Sequence, residues 1–163
     1  KFVDFFEIKL NHGAKVTDGK FDFIDYGYNY RVPELQCVMG IKQLKKLDEI
    51  VKSRNIIRNL YIQALEPLGF KVQKTSNDVV YNVQSLVFKV PENINRDELI
   101  KYLKDNNIET TIGTYCLSGG TYYKNKYNNV QPNAKYLEKY TITLPCYDGV
   151  DVEYISQKIK EYL

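Results

Sequence analysis

The chain has 163 residues, 44% of them hydrophobic and 26% charged, which is the composition of a globular domain with a buried core. Its net charge of +3, without a long basic run, is too small to indicate a nucleic-acid or membrane-surface partner. No apolar stretch approaches the roughly 20 residues of a membrane span, and the N-terminus lacks the charged-then-apolar order of a signal peptide.

The first 26 residues predict an irregular segment. A short apolar stretch leads to Asn11-His12-Gly13, and a polar loop then runs to Asp25. The chain begins at Lys1 rather than at a methionine, so we expect it to be a fragment or a processed product of a longer protein.

A long helix is predicted from Pro33 to Pro67. Pro33 suits the first helical turn, where its missing N–H is no loss. Apolar residues recur at spacings of three and four, which place them on one helical face: Leu35, Val38, Ile41, Leu44, Leu47 and Val51. A second apolar set extends the pattern: Ile57, Leu60, Tyr61, Ala64 and Leu65. Because a helix of more than about 30 residues is unusual in a globular domain, we expect a bend near Ser53.

Beyond this helix the pattern alternates between strands and shorter helices. Apolar and β-branched runs predict strands at residues 70–72, 79–81, 84–90, 108–112 and 140–144. Helical periodicity predicts helices at residues 96–106, 133–138 and 152–162. Asn95 precedes the first of these as an N-cap, with Glu98 three residues further on. The order predicts an α+β fold in which helices, including the long one, pack on a mainly antiparallel sheet of three to five strands.

The residue pattern does not show a self-sufficient catalytic site. His12 is the only histidine, and it is either a general base or a loop residue before Gly13. No paired carboxylates and no Walker-type phosphate loop stand out. Cys37, Cys116 and Cys146 match no zinc spacing and are odd in number, so we expect no metal site and a reducing cytoplasmic location.

Two segments between residues 118 and 127 carry weak signals. Ser118-Gly119-Gly120-Thr121 predicts a flexible turn. Residues 122–127 alternate tyrosine with lysine, which is a pattern of nucleic-acid binders as well as of a solvated helix end. The general excess of tyrosine and lysine in this chain favours the solvated helix end, and we expect no nucleic-acid partner.

The most specific pattern lies between Gly27 and Glu49. It reads Gly-x-Asn-Tyr-Arg, then Glu-Leu-Gln, a glycine four positions after that glutamine, and Gln-Leu-x-x-Leu-Asp-Glu. Further segments match on both sides of this stretch. Asn11-His12-Gly13 precedes it, and three segments follow it: Arg96-Asp97-Glu98-Leu99, Asn107-Ile108-Glu109-Thr110 and Thr143-Leu144-Pro145. Together they resemble the DegT/DnrJ/EryC1/StrS family of pyridoxal-phosphate (PLP) sugar aminotransferases over nearly the whole chain.

The resemblance implies the C-terminal, small domain of a fold type I aminotransferase. Residues 1–26 would join it from a large domain, and residues 27–163 would form the small domain itself. The parent enzyme would be a homodimer that transfers an amino group from a donor such as glutamate to a nucleotide-linked keto sugar. Such chemistry belongs to surface-polysaccharide or deoxyamino-sugar biosynthesis. The alternative is a non-catalytic binding or assembly domain that kept this fold.

For Asn29 the resemblance implies a hydrogen bond to the cofactor phosphate of the neighbouring subunit. An amide N–H donor near a helix start suits a phosphate oxygen, although a turn or N-cap role stays open. Arg31 is a candidate for binding a substrate phosphate or carboxylate, or for anchoring the loop through backbone carbonyls. Tyr28 and Tyr30 would either wall the active site or pack at the helix entrance.

His12 and Tyr115 complete the candidate substrate-binding residues, and two departures from the family accompany them. The family's Schiff-base lysine follows a Ser-x-x-x-Lys pattern that does not precede His12 here, and Lys1 is too close to serve. The family's Tyr-x-Pro-x-His sequence is replaced around Tyr115 by residues 113–118 without a histidine. We therefore expect the 163-residue chain alone to be inactive.

Overall fold

The computed structural model describes residues 2–76 and 78–163. The chain forms two compact units: the N-terminal unit ends at Leu47, and the C-terminal unit begins at Asp48. In the described part of the chain, no helix combines the length and the apolar character needed to cross a membrane.

The N-terminal unit contains helix α1 (Phe2–Leu10), strands β1 (Ala14–Thr17) and β2 (Lys20–Phe23), and helix α2 (Glu34–Leu44). β1 and β2 form an antiparallel hairpin in which Thr17 pairs with Lys20. The two turn residues, Asp18 and Gly19, have φ values of 52° and 75°. Asp-Gly with both φ angles positive is the turn that matches the twist of a two-residue hairpin. The prediction of an irregular segment was therefore wrong here.

The predicted long helix is divided in two. α2 ends at Leu44 and α3 runs over Leu47–Leu65. At the junction the N–H of Lys46 donates to the carbonyl of Gln43 at 3.0 Å, so the α-helical hydrogen-bond ladder gives way to a tighter turn. The helix is therefore interrupted, and the interruption precedes Ser53, where the bend was predicted. Only α3 has buried residues, whereas large apolar side chains of α2 are exposed: Leu35, Val38, Met39, Ile41 and Leu44.

The C-terminal unit is built on a four-stranded antiparallel sheet in the order β3-β4-β6-β5. Its strands are β3 (Lys71–Val72), β4 (Leu86–Lys89), β5 (Thr111–Ile112) and β6 (Thr141–Leu144). The helices that follow α3 are α4 (Arg96–Asp105), α5 (Thr121–Tyr127), α6 (Pro132–Tyr140) and α7 (Val152–Tyr162). The prediction of an α+β fold with a mainly antiparallel sheet is confirmed.

The predicted strand at residues 79–81 does not form. The backbone of this segment is held by side chains of α3 instead of by a neighbouring strand. Asn55 Nδ2 donates to the carbonyl of Tyr81 at 2.7 Å, and Arg54 Nη1 donates to that of Val83 at 3.5 Å. The carbonyl of Tyr81, at the end of the predicted strand, therefore bonds to a helix and not to a neighbouring strand.

Helix α3, the sheet, α4 and α7 enclose one core. Alternate residues of β4 are buried, and Leu86 and Phe88 pair with Leu144 and Ile142 of β6. The largest fully buried side chains are Tyr61, Phe70, Phe88, Leu65, Leu86, Leu99, Leu103, Ile142 and Ile159. Burying a Leu or Phe side chain contributes about 1.5–3 kcal/mol, so this cluster stabilises the C-terminal unit.

The start of α4 shows why an Arg-Asp pair stands there. Asn95 Oδ1 accepts from the N–H groups of Asp97 at 3.1 Å and Glu98 at 3.4 Å, which confirms the predicted N-cap. Arg96 is buried, and its Nη1 donates to the carbonyls of Glu138 at 2.8 Å and Thr141 at 2.6 Å. Arg96 therefore ties α4 to the end of α6 and the start of β6.

Candidate functional site

The N-terminal unit brings two loop segments into close contact through a pair of glycines. A Cβ on Gly13 would lie 1.7 Å from the carbonyl oxygen of Asp25, and one on Gly27 would lie 2.1 Å from the amide nitrogen of Gly13. Gly13 also has a φ of +78°. Only glycine permits such an approach, so the Asn-His-Gly and Gly-x-Asn-Tyr-Arg motifs are parts of one structure.

Backbone hydrogen bonds hold the second segment alongside the end of α1. The N–H of Tyr28 donates to the carbonyl of Lys9 at 2.8 Å, and the N–H of Tyr30 donates to that of Leu10 at 3.1 Å. The N–H of His12 donates back to the carbonyl of Tyr28 at 3.0 Å. Asn29 is consequently paired with Asn11 in an antiparallel bridge. The backbone at Asn29 is fixed on both sides while its side chain is exposed.

Extended backbone sends alternate side chains to opposite faces, and residues 28–31 follow this rule. The rings of Tyr28 and Tyr30 stack with centroids 5.1 Å apart and planes 20° apart. Both tyrosines are more than half exposed, at 54% and 63%. The intervening and following residues, Asn29 and Arg31, meet side chain to side chain at 2.9 Å. The motif therefore presents one aromatic and one polar face.

The polar face joins three of the predicted site residues. Arg31 Nε donates to Asn29 Oδ1 at 2.9 Å, and Arg31 Nη2 lies 3.5 Å from His12 Nε2. Because a guanidinium has no acceptor, the His12 nitrogen accepts in that contact. His12 has a φ of 59°, in the left-handed region, as does the adjacent Gly13 with a φ of 78°. His12, Asn29 and Arg31 thus form one hydrogen-bonded group.

A lysine that sequence reasoning missed supports this loop. Lys9 Nζ lies 2.8 Å from Asp25 Oδ2, donates to the Tyr26 carbonyl at 3.1 Å, and sits 3.2 Å from the centre of the Tyr26 ring. The hydrogen bond from Lys9 lowers the pKa of the Asp25 carboxyl below its usual value. No sequence signal marks Lys9, because its role depends on how the loop returns to α1.

Tyr115 lies in the C-terminal unit, whereas the other five predicted residues lie in the N-terminal unit. Its ring is 67% exposed. The next residue, Cys116, is buried, and its N–H donates to Glu138 Oε1 at 3.0 Å. Ser118 Oγ accepts from the N–H of Gln131 at 2.9 Å.

The flexible turn predicted at residues 118–121 is therefore a 3-10 turn held by hydrogen bonds. The segment of alternating tyrosine and lysine is helix α5, and its tyrosines are exposed.

A cleft of about 560 Å³ lies at the edge of the sheet in the C-terminal unit. It is lined in part by Glu109, Thr110, Tyr147, Asp151 and Tyr154. None of the six predicted site residues contributes to its wall. The loop group of His12, Asn29 and Arg31 is therefore separate from this cleft.

The donors of the loop group suit a phosphate ester. Asn29 Oδ1 is occupied by Arg31, and within residues 2–76 and 78–163 the Asn29 Nδ2 has no hydrogen-bond partner. An exposed amide whose oxygen is already engaged by Arg31 is left with its N–H₂ group to donate, and such a donor suits a phosphate oxygen. The residues present thus fit the phosphate of a cofactor such as PLP.

Comparisons with known proteins identify the family of the chain. A model of the DegT/DnrJ/EryC1/StrS aminotransferase family matches residues 4–161. GDP-perosamine synthase from Vibrio cholerae is 28% identical over 105 residues, which cover 63% of this chain and 29% of that protein. UDP-4-amino-4,6-dideoxy-N-acetyl-beta-L-altrosamine transaminase from Campylobacter jejuni is 26% identical over 162 residues, which cover 94% of this chain and 42% of that protein.

The fold is also that of solved relatives. The putative sugar aminotransferase Spr1654 from Streptococcus pneumoniae, in its PMP-form, superposes with a TM-score of 0.88 at 20% identity. The match covers 98% of this chain and 44% of that one. The chain therefore spans less than half the length of these relatives. It belongs to the DegT/DnrJ/EryC1/StrS aminotransferase family.

Proposed function

We propose that this chain is the C-terminal part of a PLP-dependent aminotransferase that acts on nucleotide-linked keto sugars. Family membership supports an aminotransferase, and the matched relatives include a GDP-perosamine synthase and a UDP-linked amino-sugar transaminase. Spr1654, whose fold is shared, has been solved in both PMP- and PLP-forms. Glutamate is the proposed amino donor, in surface-polysaccharide or deoxyamino-sugar biosynthesis in the cytoplasm.

The observation that carries this proposal is the position of Asn29. Its backbone is paired with Asn11, its side-chain oxygen Oδ1 accepts from Arg31 Nε, and its exposed N–H₂ group is left to donate. We assign that group to the cofactor phosphate of the neighbouring subunit. PLP, when bound, carries the amino group between two half-reactions and serves as the electron sink.

The other candidate residues are assigned supporting roles. The stacked rings of Tyr28 and Tyr30 form a rigid exposed wall, which would bound the substrate space and exclude water from it. His12 is placed within hydrogen-bonding reach of Arg31. Tyr115, on an exposed loop of the C-terminal unit, is assigned to the sugar substrate.

A homodimer is part of the proposal, and the exposed apolar surface of the N-terminal unit supports it. No side chain of α2 is buried, although six of its 11 residues are apolar. Large apolar patches on a soluble enzyme mark surfaces that other protein covers. In the parent protein we assign this cover to the large domain and the second subunit.

We also propose which parts of the parent enzyme this chain contains. Residues 1–26 would join the large domain to a small domain formed by residues 27–163. The Schiff-base lysine would come from the large domain, since no Ser-x-x-x-Lys pattern precedes His12 in this chain. The 163-residue chain alone would then show no transamination and, at best, feeble PLP binding.

An absorbance titration of the full-length protein with PLP tests the proposal. We expect a new absorbance band from covalently held cofactor. In one portion of the sample borohydride should make the adduct permanent, and in another glutamate should convert the cofactor to its amino form. Asn29→Ala should weaken the uptake of PLP. Asn59→Ala, which removes an exposed asparagine of α3, is the control and should leave the band unchanged. Failure of the wild-type protein to take up PLP would contradict the enzyme and favour a non-catalytic binding domain.

A further inference from the structure

The relation between Arg31 and Asn29 assigns a role to Arg31 that differs from substrate binding. In an extended segment, residues two apart share a face, so the guanidinium of Arg31 reaches back to the amide of Asn29. The Nε to Oδ1 distance is 2.9 Å. A charged donor to an amide carbonyl is among the stronger side-chain hydrogen bonds.

This contact decides which end of the Asn29 amide faces outward. An asparagine amide has one accepting oxygen and one N–H₂ group on opposite sides, and rotation about its last bond exchanges them. With Oδ1 turned to Arg31, Nδ2 is turned away and can donate. An amide rotated the other way would present its oxygen to a phosphate, and two acceptors repel each other.

A second contact holds the guanidinium in place. Arg31 Nη2 lies 3.5 Å from His12 Nε2, and His12 is itself fixed by its backbone N–H, which donates to the Tyr28 carbonyl at 3.0 Å. The guanidinium is planar and offers its donors in a fixed fork. Contacts at Nε and Nη2 therefore determine its orientation, and through it the orientation of the Asn29 amide.

We propose that Arg31 is a positioning residue that holds the Asn29 amide with its N–H₂ toward the cofactor phosphate, with His12 steadying the guanidinium. The inference rests on the proposed function of Asn29. It predicts that Arg31 acts on cofactor affinity through Asn29, whereas an arginine that only bound the substrate would leave cofactor affinity unchanged.

A double-mutant cycle on PLP affinity in the full-length holoenzyme tests this role. Asn29→Ala should weaken PLP binding about ten- to a hundredfold. Arg31→Met should weaken it about three- to tenfold, because an Asn29 side chain that is free to change its χ1 rotamer as well as to flip its amide presents its donor only about a tenth to a third of the time. In the Asn29→Ala background, Arg31→Met should change affinity by less than about twofold, since the residue it positions is gone.

Arg31→Lys is the second variant, because it keeps the charge and loses the Nε donor. We expect it to weaken PLP binding as Arg31→Met does, and we expect both to shift the phosphorus NMR signal of the bound cofactor. A thermal melt of each variant shows whether it folds. If Arg31→Met does not fold, Arg31→Lys takes its place in the double-mutant cycle.

The outcomes separate the inference from the proposed function. If Asn29→Ala leaves PLP affinity unchanged, the role of Asn29 fails and the inference fails with it. If Asn29→Ala weakens binding but Arg31→Met has no effect, has the same effect in both backgrounds, or is fully rescued by Arg31→Lys, the inference alone is overturned. Only a loss that vanishes in the Asn29→Ala background supports it.

Discussion

Gly27 lies against Gly13 so closely that a Cβ on Gly27 would sit 2.1 Å from the Gly13 amide nitrogen. The atoms in the way belong to the backbone, so no side chain can move aside to make room. The two glycines allow the segment after Gly27 to lie beside the Asn-His-Gly turn, where His12 reaches Arg31. The site is therefore made by a backbone contact before any functional side chain takes part.

Gly27→Ala tests this dependence. We expect the substitution to disrupt the loop, to lower the melting temperature of the full-length protein, and to weaken PLP binding at least as much as Asn29→Ala does. Asn59→Ala is the control, because Asn59 lies on the exposed face of α3 and alanine is tolerated within a helix. A Gly27→Ala protein with wild-type cofactor affinity would contradict the backbone contact.

Arg96 is expected to matter for stability rather than for activity. Arg96→Met leaves the carbonyls of Glu138 and Thr141 without their charged donor, in a place where the arginine is only 6% exposed. We expect a loss of about 2–4 kcal/mol in the free energy of unfolding, measured with urea. Asp97→Asn, which changes an exposed partner of Arg96, should cost less than about 1 kcal/mol. A cost below 1 kcal/mol for Arg96→Met would show that the carbonyls find other partners.

Removing the buried polar group of Tyr61, unlike that of Arg96, is expected to leave stability unchanged or to raise it. Its ring is fully buried between α3 and the sheet, and among the described residues its hydroxyl has no hydrogen-bond partner. Burial raises the pKa of Tyr61 well above its usual range. Tyr61→Phe removes the unpaired hydroxyl, so we expect the free energy of unfolding to stay within about 0.5 kcal/mol or to rise by up to about 1 kcal/mol. A loss larger than 1 kcal/mol in urea denaturation would reveal a partner for the hydroxyl.

The Lys9–Asp25 ion pair predicts that its contribution to the stability of the fold is lost in acid. Because Lys9 lowers the pKa of Asp25 in the folded protein, the pair stabilises the fold above the ordinary aspartate value of 3.8 and stops doing so as pH falls through the lower folded value. Lys9→Met should therefore lower the melting temperature at pH 7, and the gap to wild type should narrow in acid. Lys20→Met, on exposed strand β2, is the control. A gap that stays constant from neutral to acidic pH would contradict the coupling.

Sequence pattern predicted most of the C-terminal unit because its signals are local. The apolar face of residues 152–162 became α7 with the predicted bounds, and Asn95 caps α4 as its position before Glu98 indicates. The missing strand at residues 79–81 shows the limit of such signals. Its backbone bonds to Asn55 of α3, a partner distant in sequence, so propensity alone could not foresee it.

The site was predictable in part. The alternation of Tyr28, Asn29, Tyr30 and Arg31 already implies two faces of an extended segment, and the structure has both. The contact with His12 and the support from Lys9 depend on the return of the loop to α1, which no short pattern encodes. The hairpin in the same region carried a readable Asp18-Gly19 signal, because that dipeptide favours the positive φ angles of a tight turn.

The central claim is that Asn29 donates to the cofactor phosphate of the neighbouring subunit. The most direct measurement uses a hybrid dimer in which one subunit carries Asn29→Ala and the other lacks the Schiff-base lysine. If Asn29 serves the partner's site, one site of the hybrid has both lesions and the other has neither. Borohydride-trapped PLP, titrated against free cofactor, should then show half of the sites with wild-type affinity. If instead no site keeps wild-type affinity and the remaining lysine binds PLP about ten- to a hundredfold more weakly, Asn29 serves its own subunit and the claim is contradicted.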